Sequence, residues 1–148
     1  MRVIEVKLYQ FDELSDEVKL KVMERMADIN VDHGWWDFVY EDAATIGLKL
    51  MGFDDYKCEG KLTEAVGEVC RRILVNHGKA CETYRTAVDY YDRKHNGNPY
   101  IEEDFLHSLL EDYRIMLRNE YEYFTGEEAI AETIRVNEYE FTEAGRME

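Results

Sequence analysis

The sequence predicts an α+β fold, predominantly helical, with about five to six helices and a small two- or three-stranded antiparallel sheet. Three observations predict it. Apolar residues recur at intervals near 3.6 through most of the 148-residue chain, the period of a helix with one buried face. Strict alternation, the period of a half-buried strand, is confined to the N-terminal segment, with shorter candidates in the middle and at the C-terminus. Hydrophobic residues make up 45% of the chain, enough for a packed core in spite of a formal net charge of -15. At this length a single domain over 1–148 is expected.

Residues 2–9 alternate between apolar and charged side chains and predict the first strand. Asp12 or Ser15 can cap the helix that follows, and Asp16 and Glu17 favour the positive end of its dipole. Val18, Val22, Met26 and Ile29 form its apolar stripe, with an end expected near Asn30 and Gly34 interrupting the pattern. Trp35, Trp36, Phe38, Val39, Ala43, Ile46 and Leu50 predict a second helix, stopped by Gly52. Residues 53–62 are short and mixed and read as a middle strand. Ala65, Val69, Ile73 and Leu74 predict a third helix closed by Asn76, His77 and Gly78, and residues 80–91 a fourth.

Asn96-Gly97-Asn98-Pro99 marks a break near 95–100, separating a mixed N-terminal part from a strongly acidic helical C-terminal part. The longest helical signal follows over 102–124, with Leu106, Leu109, Leu110, Tyr113, Leu117 and Tyr121 or Phe124 on one face. Glu120 projects near the middle of that stripe and reads as a carboxylate at a widened helix edge or one bonded by a tyrosine hydroxyl, with a buried site carboxylate as the alternative. Thr125 caps a short helix that opens at Glu127 and ends near Asn137. Tyr139, Glu140 and Phe141 then return as a strand beside the first.

Charge is the strongest functional signal. The chain carries 33 Asp+Glu against 18 Lys+Arg; residues 101–148 alone hold 14 acids and 4 bases. A field of that sign repels nucleic acid and anionic lipid and attracts basic protein surfaces. The expected partner is therefore a basic protein, with no direct nucleic acid and no membrane. Glu111 with Arg114, and Arg118 with Glu122, have helical spacing for ion pairs. The unpaired excess lies at Glu102, Glu103, Asp104, Glu127, Glu128, Glu132, Glu138, Glu140 and Glu143. Of these, Glu102, Glu103, Asp104, Glu127, Glu128, Glu132, Glu138 and Glu140, with Trp35 and Trp36 as aromatic anchors, are the candidate partner-binding residues. A solvated face that keeps the protein soluble is the competing reading.

Catalytic signals are weak. No nucleophile with an orienting partner and no Gly-rich phosphate loop appears, so a non-enzymatic protein without cofactor or metal is expected. Asp32, His33 and Asp37 are close enough for acid–base chemistry or a metal, and they centre an alternative reading as a small metal-dependent enzyme. His77 and Cys81, with Cys70 seven residues before His77, lack the paired knuckles of structural zinc sites. His95 and His107 are isolated. Three cysteines, Cys58, Cys70 and Cys81, at irregular spacing and without a signal peptide point to free thiols in a reducing cytoplasm. No apolar run approaches the roughly 20 residues of a membrane span.

Three stretches resemble a family of small acidic proteins encoded by bacteriophages and mobile elements. The first runs from Phe11 through Ser15 to Lys19, followed by Trp36 and Tyr40-Glu41-Asp42-Ala43. The second is His77-Gly78 through Cys81 to Tyr84. The third is Glu120 to Tyr123, into Glu127-Glu128-Ala129 and ending at Asn137 to Thr142. Members of this family are sometimes labelled antitoxin-like, and no catalytic residues carry over. The resemblance implies an anti-defence context: an inhibitor that covers a basic, nucleic-acid-binding surface of a host CRISPR effector or restriction nuclease in the bacterial cytoplasm. A cognate basic toxin is the alternative partner.

Overall fold

A computed structural model describes residues 3–94, 97 and 101–147. His95 and, from the expected break, Asn96, Asn98 and Pro99 lie outside the described residues. The elements in chain order are β1 (Tyr9–Gln10), a 3-10 turn (Phe11–Glu13), α1 (Asp16–Arg25), α2 (Asp37–Thr45), β2 (Leu48–Phe53), β3 (Cys58–Leu62), α3 (Val66–Asn76), α4 (Glu82–Arg93), α5 (Ile101–Phe124), α6 (Glu127–Val136) and β4 (Glu140–Phe141). The fold is mostly helical α+β with two small antiparallel sheets, β1–β4 and β2–β3. The chain divides into two compact units, Met1–Trp35 with Tyr121–Glu148, and Trp36–Glu120.

In the first unit, β1 and β4 pair antiparallel, Tyr9 with Phe141 and Gln10 with Glu140. The N- and C-terminal segments therefore meet as predicted, but the ladder is much shorter than 2–9. After Phe141 the chain turns away, with Gly145 N–H bonded to Thr142 C=O and Thr142 N–H to Arg146 C=O, leaving residues 3–8 without a partner strand among the described residues. Ser15 caps α1 by accepting the Val18 N–H at 3.3 Å. That helix stops at Arg25 rather than near Asn30. Asn30 instead donates to Phe124 C=O at 2.9 Å and accepts the Thr133 hydroxyl at 2.6 Å. The core joins Phe11, Leu14 and Val22 to Ile130, Ile134 and Phe141. Phe11 and Phe141 meet edge to face, their centroids 6.4 Å apart.

The start of α6 corrects the sequence reading: Gly126 is its N-cap, and the Thr125 hydroxyl bonds back to Tyr121 C=O at 2.8 Å. Its end is Asn137, followed by Glu138 in the left-handed region at φ 53°. Glu138 N–H bonds to Arg135 C=O at 3.1 Å, in a helix-ending turn whose left-handed position favours glycine.

In the second unit, the expected helix through Ile46 and Leu50 ends at Thr45. Gly47 adopts φ 88°, which breaks the helix, and Leu48 and Leu50 then bury alternate positions of a strand. The middle segment pairs with this strand rather than with the termini: Leu48 faces Leu62 and Leu50 faces Gly60. Gly60 is required by space, since a Cβ there would lie 2.6 Å from Lys49 C=O. Helix α5 buries Phe105, Leu109, Tyr113 and Leu117 at strict four-residue spacing, while Leu106 and Leu110 are half-buried. Glu120 is half-buried.

Candidate functional site

The candidate carboxylates fall into classes that the sequence alone does not separate. In the second unit, Glu102, Glu103 and Asp104 occupy the exposed first turn of α5, and Asp104 pairs with Arg93 at 3.6 Å. In the first unit, Glu127 and Glu128 occupy the exposed first turn of α6. A carboxylate in a helix's first turn stabilises it by about 0.3–1 kcal/mol, so all five have a local structural role. Glu132, Glu138, Glu140 and Glu143 have none of that kind. All four are exposed and lie on or just beyond the α6–β4 segment of one unit.

Ion pairing sharpens the distinction. In the first unit Arg135 forks onto Asp12 at 3.0 Å, Lys19 approaches the same carboxylate, Lys21 pairs with Glu17, and Arg25 donates to Gly145 C=O. These cations are turned toward the α1 side or the backbone. Among the described residues, Glu127, Glu128, Glu132, Glu138, Glu140 and Glu143 make no ion pair. In the second unit arginines accompany Glu68, Glu82, Asp89 and Glu111, with Glu111–Arg114 at 2.6 Å as the helical spacing predicts. The first unit carries 16 acids and 7 bases, the second 17 and 11. Within the first unit, residues 1–35 carry 8 acids and 5 bases and residues 121–148 carry 8 acids and 2 bases, so the larger net excess lies on the C-terminal segment, although Glu5, Asp16, Glu24 and Asp28 likewise make no ion pair among the described residues.

Both tryptophans are half-buried. Trp35 packs on Tyr121 with centroids 5.5 Å apart, and Trp36 meets the Phe53 ring edge-on at 6.1 Å. They belong to different units, and both precede α2, which begins at Asp37, so the helix expected to include Trp35 and Trp36 starts after them.

Asp32 and His33 are exposed in the first unit, 3.9 Å apart, whereas Asp37 is exposed at the start of α2 in the second. Cys70 is buried in α3 and Cys81 exposed at the N-cap of α4. Among the described residues no group of three His, Cys, Asp or Glu side chains is placed to hold a metal ion. All three cysteines are free thiols; burial pushes Cys58 up to about 11 and Cys70 up to about 12. His107 is exposed.

A polar cluster that sequence reasoning missed lies within the second unit. His77 Nδ1 is 2.6 Å from the Thr83 hydroxyl, and Nε2 is 3.4 Å from Asp42 Oδ2, outside hydrogen-bond geometry. The Tyr113 hydroxyl donates to the same Asp42 oxygen at 2.8 Å. The His77 contact first, and Tyr113 next, hold the Asp42 carboxyl below its ordinary value against the opposing effect of burial. Burial, with the Asp42 charge beside it, pushes the Tyr113 phenol well up. Thr83 and Tyr113 are fully buried, so no substrate carbonyl reaches the threonine oxygen. The cluster ties α2, α4 and α5 together and supplies no nucleophile. Its members are 6, 35 and 36 positions from His77, spacings that carry no local signal.

No family model matches the chain, and no curated protein or solved structure matches it. No helix among the described residues is long and apolar enough to cross a membrane.

Proposed function

We propose that this protein is a non-enzymatic binding protein of phage or mobile-element type, whose α6–β4 carboxylates cover a basic, nucleic-acid-binding surface of a host defence protein. One observation carries the reading: Glu132, Glu138, Glu140 and Glu143 are exposed, lack ion-pair partners among the described residues, and serve no helix N-terminus. Carboxylates that only solubilise a surface are usually interspersed with Lys and Arg. Here the neighbouring Arg135 is turned to Asp12 instead.

Glu138 adds support. A glutamate at φ 53° is held against the preference of its backbone, at a position where glycine costs less. The partner chemistry is an array of Arg and Lys side chains spaced for phosphates, and association with it releases counterions.

The test is capture from a bacterial lysate containing intact nuclease defences, eluted with a salt gradient. Release of a nuclease or CRISPR component between roughly 0.1 and 0.5 M salt is expected. The combined Glu132→Lys, Glu138→Lys and Glu140→Lys variant loses that capture while keeping its melting temperature. Capture unaffected by the reversals refutes the reading. Recovery of a small basic toxin instead assigns the same surface to an antitoxin.

A further inference from the structure

Residues 3–8 carry the most exposed apolar side chains of the first unit's N-terminal segment: Val3 is 80% exposed, Ile4 74% and Val6 60%. They continue directly into β1, whose sheet contains only β1 and β4, so the outer edge of β1 bears no strand among the described residues. Exposed β-branched residues beside an open edge are the usual template for strand addition. The pattern of charges says which strand fits.

Laid antiparallel against a second copy of itself about Val6, the segment is self-complementary. Val6 faces Val6 and Ile4 faces Leu8. On the opposite side of the ribbon, Glu5 faces Lys7 and Lys7 faces Glu5, with Val3 facing Tyr9 at each end. Ile4, Val6 and Leu8 then line one face of both strands, and each charge meets its opposite across the ladder. Shifting the pairing by one residue would bring apolar and charged side chains onto the same face. A symmetric dimer requires this kind of isologous match.

We propose that two copies of this protein associate through residues 3–9 as an antiparallel, two-fold strand pair that continues β1 of each copy into a four-stranded sheet, β4–β1–β1–β4.

Charge swapping tests it without relying on one variant's folding. Glu5→Lys alone sets lysine opposite lysine at both pairs, and Lys7→Glu alone sets glutamate opposite glutamate. Mixed together, the two variants restore opposite charges at every pair. Analytical ultracentrifugation at protein concentrations up to roughly 0.3 mM should show dimer for the wild type. Each variant alone should associate about tenfold or more weakly, and the mixture should recover association as a heterodimer.

Disulfide trapping checks the register. In a Cys81→Ser background, Val6→Cys should cross-link to itself on oxidation, because facing strand residues lie within disulfide reach. Ile4→Cys should cross-link to Leu8→Cys but not to itself. A monomeric wild type overturns the proposal, as does either charge variant dimerising like the wild type. Efficient self-linking at Ile4 and not at Val6 overturns the register.

Discussion

Replacing Glu138 by glycine should stabilise the protein, an unusual outcome for a surface substitution. The residue follows the C-cap of α6 at φ 53°, and its N–H completes the turn to Arg135 C=O. Left-handed backbone costs an L-residue about 1–2 kcal/mol, which glycine avoids. Glycine in turn loses more freedom on folding, about 0.5–1 kcal/mol. The expected net gain is about 0.5–1 kcal/mol, or a rise in Tm of roughly 1–4 °C for a chain of this size. Glu138→Ala separates backbone from charge: it removes the carboxylate but keeps the left-handed strain, and should stay within about 0.5 kcal/mol of wild type. Thermal unfolding by circular dichroism of the three proteins decides it. If alanine stabilises as much as glycine, the gain comes from relieved charge repulsion and the strain argument fails. If glycine lowers Tm, the conformation is not strained at all. Under the proposed function, Glu138→Gly also weakens capture of the partner, trading binding for stability.

Two aspartates of the second unit should respond to pH with opposite sign. Asp42 has its carboxyl held below the ordinary 3.8, so its stabilising contribution is present above that value and lost as pH falls through the lower folded-state value. Asp42→Asn should therefore lower the urea midpoint at neutral pH, with the gap to wild type closing in strong acid. Asp112 is raised by burial, although the Thr86 hydroxyl donates to it at 2.5 Å, so the folded state favours its neutral form. That contribution is present below 3.8 and lost as pH rises through the folded-state value, and Asp112→Asn should gain on wild type over that window. Gly60→Ala would press a methyl group to 2.6 Å from Lys49 C=O and should cost about 1–3 kcal/mol, read from denaturant unfolding. A thiol reagent should label Cys81 rapidly in the native protein and reach Cys58 and Cys70 only on unfolding, because those two are buried. Rapid native labelling of all three would contradict the assigned cores.

Fold class, most helices and the pairing of the N- and C-terminal strands were legible in the residues alone. Those follow from local rules: apolar spacing near 3.6 predicts α3, α4 and α5, Ser15 caps α1, and alternation at 139–141 marks β4. The sequence also located the acidic segment, because net charge is a sum over residues and needs no coordinates. The tertiary structure decided what pairing and backbone geometry control. Gly47 at φ 88° converts an apolar run that reads as helix into β2, since one left-handed residue moves Leu48 and Leu50 from a helical stripe to a strand face. The turn after Phe141 limits the first ladder to two residues and leaves residues 3–8 exposed. Which carboxylates are neutralised was equally non-local: Asp12 and Arg135 are 123 positions apart, yet their contact turns Arg135 away from the glutamates beside it in sequence. Local periodicity specifies which face of an element is apolar. Long-range packing specifies which neighbour covers that face and which charges are left over.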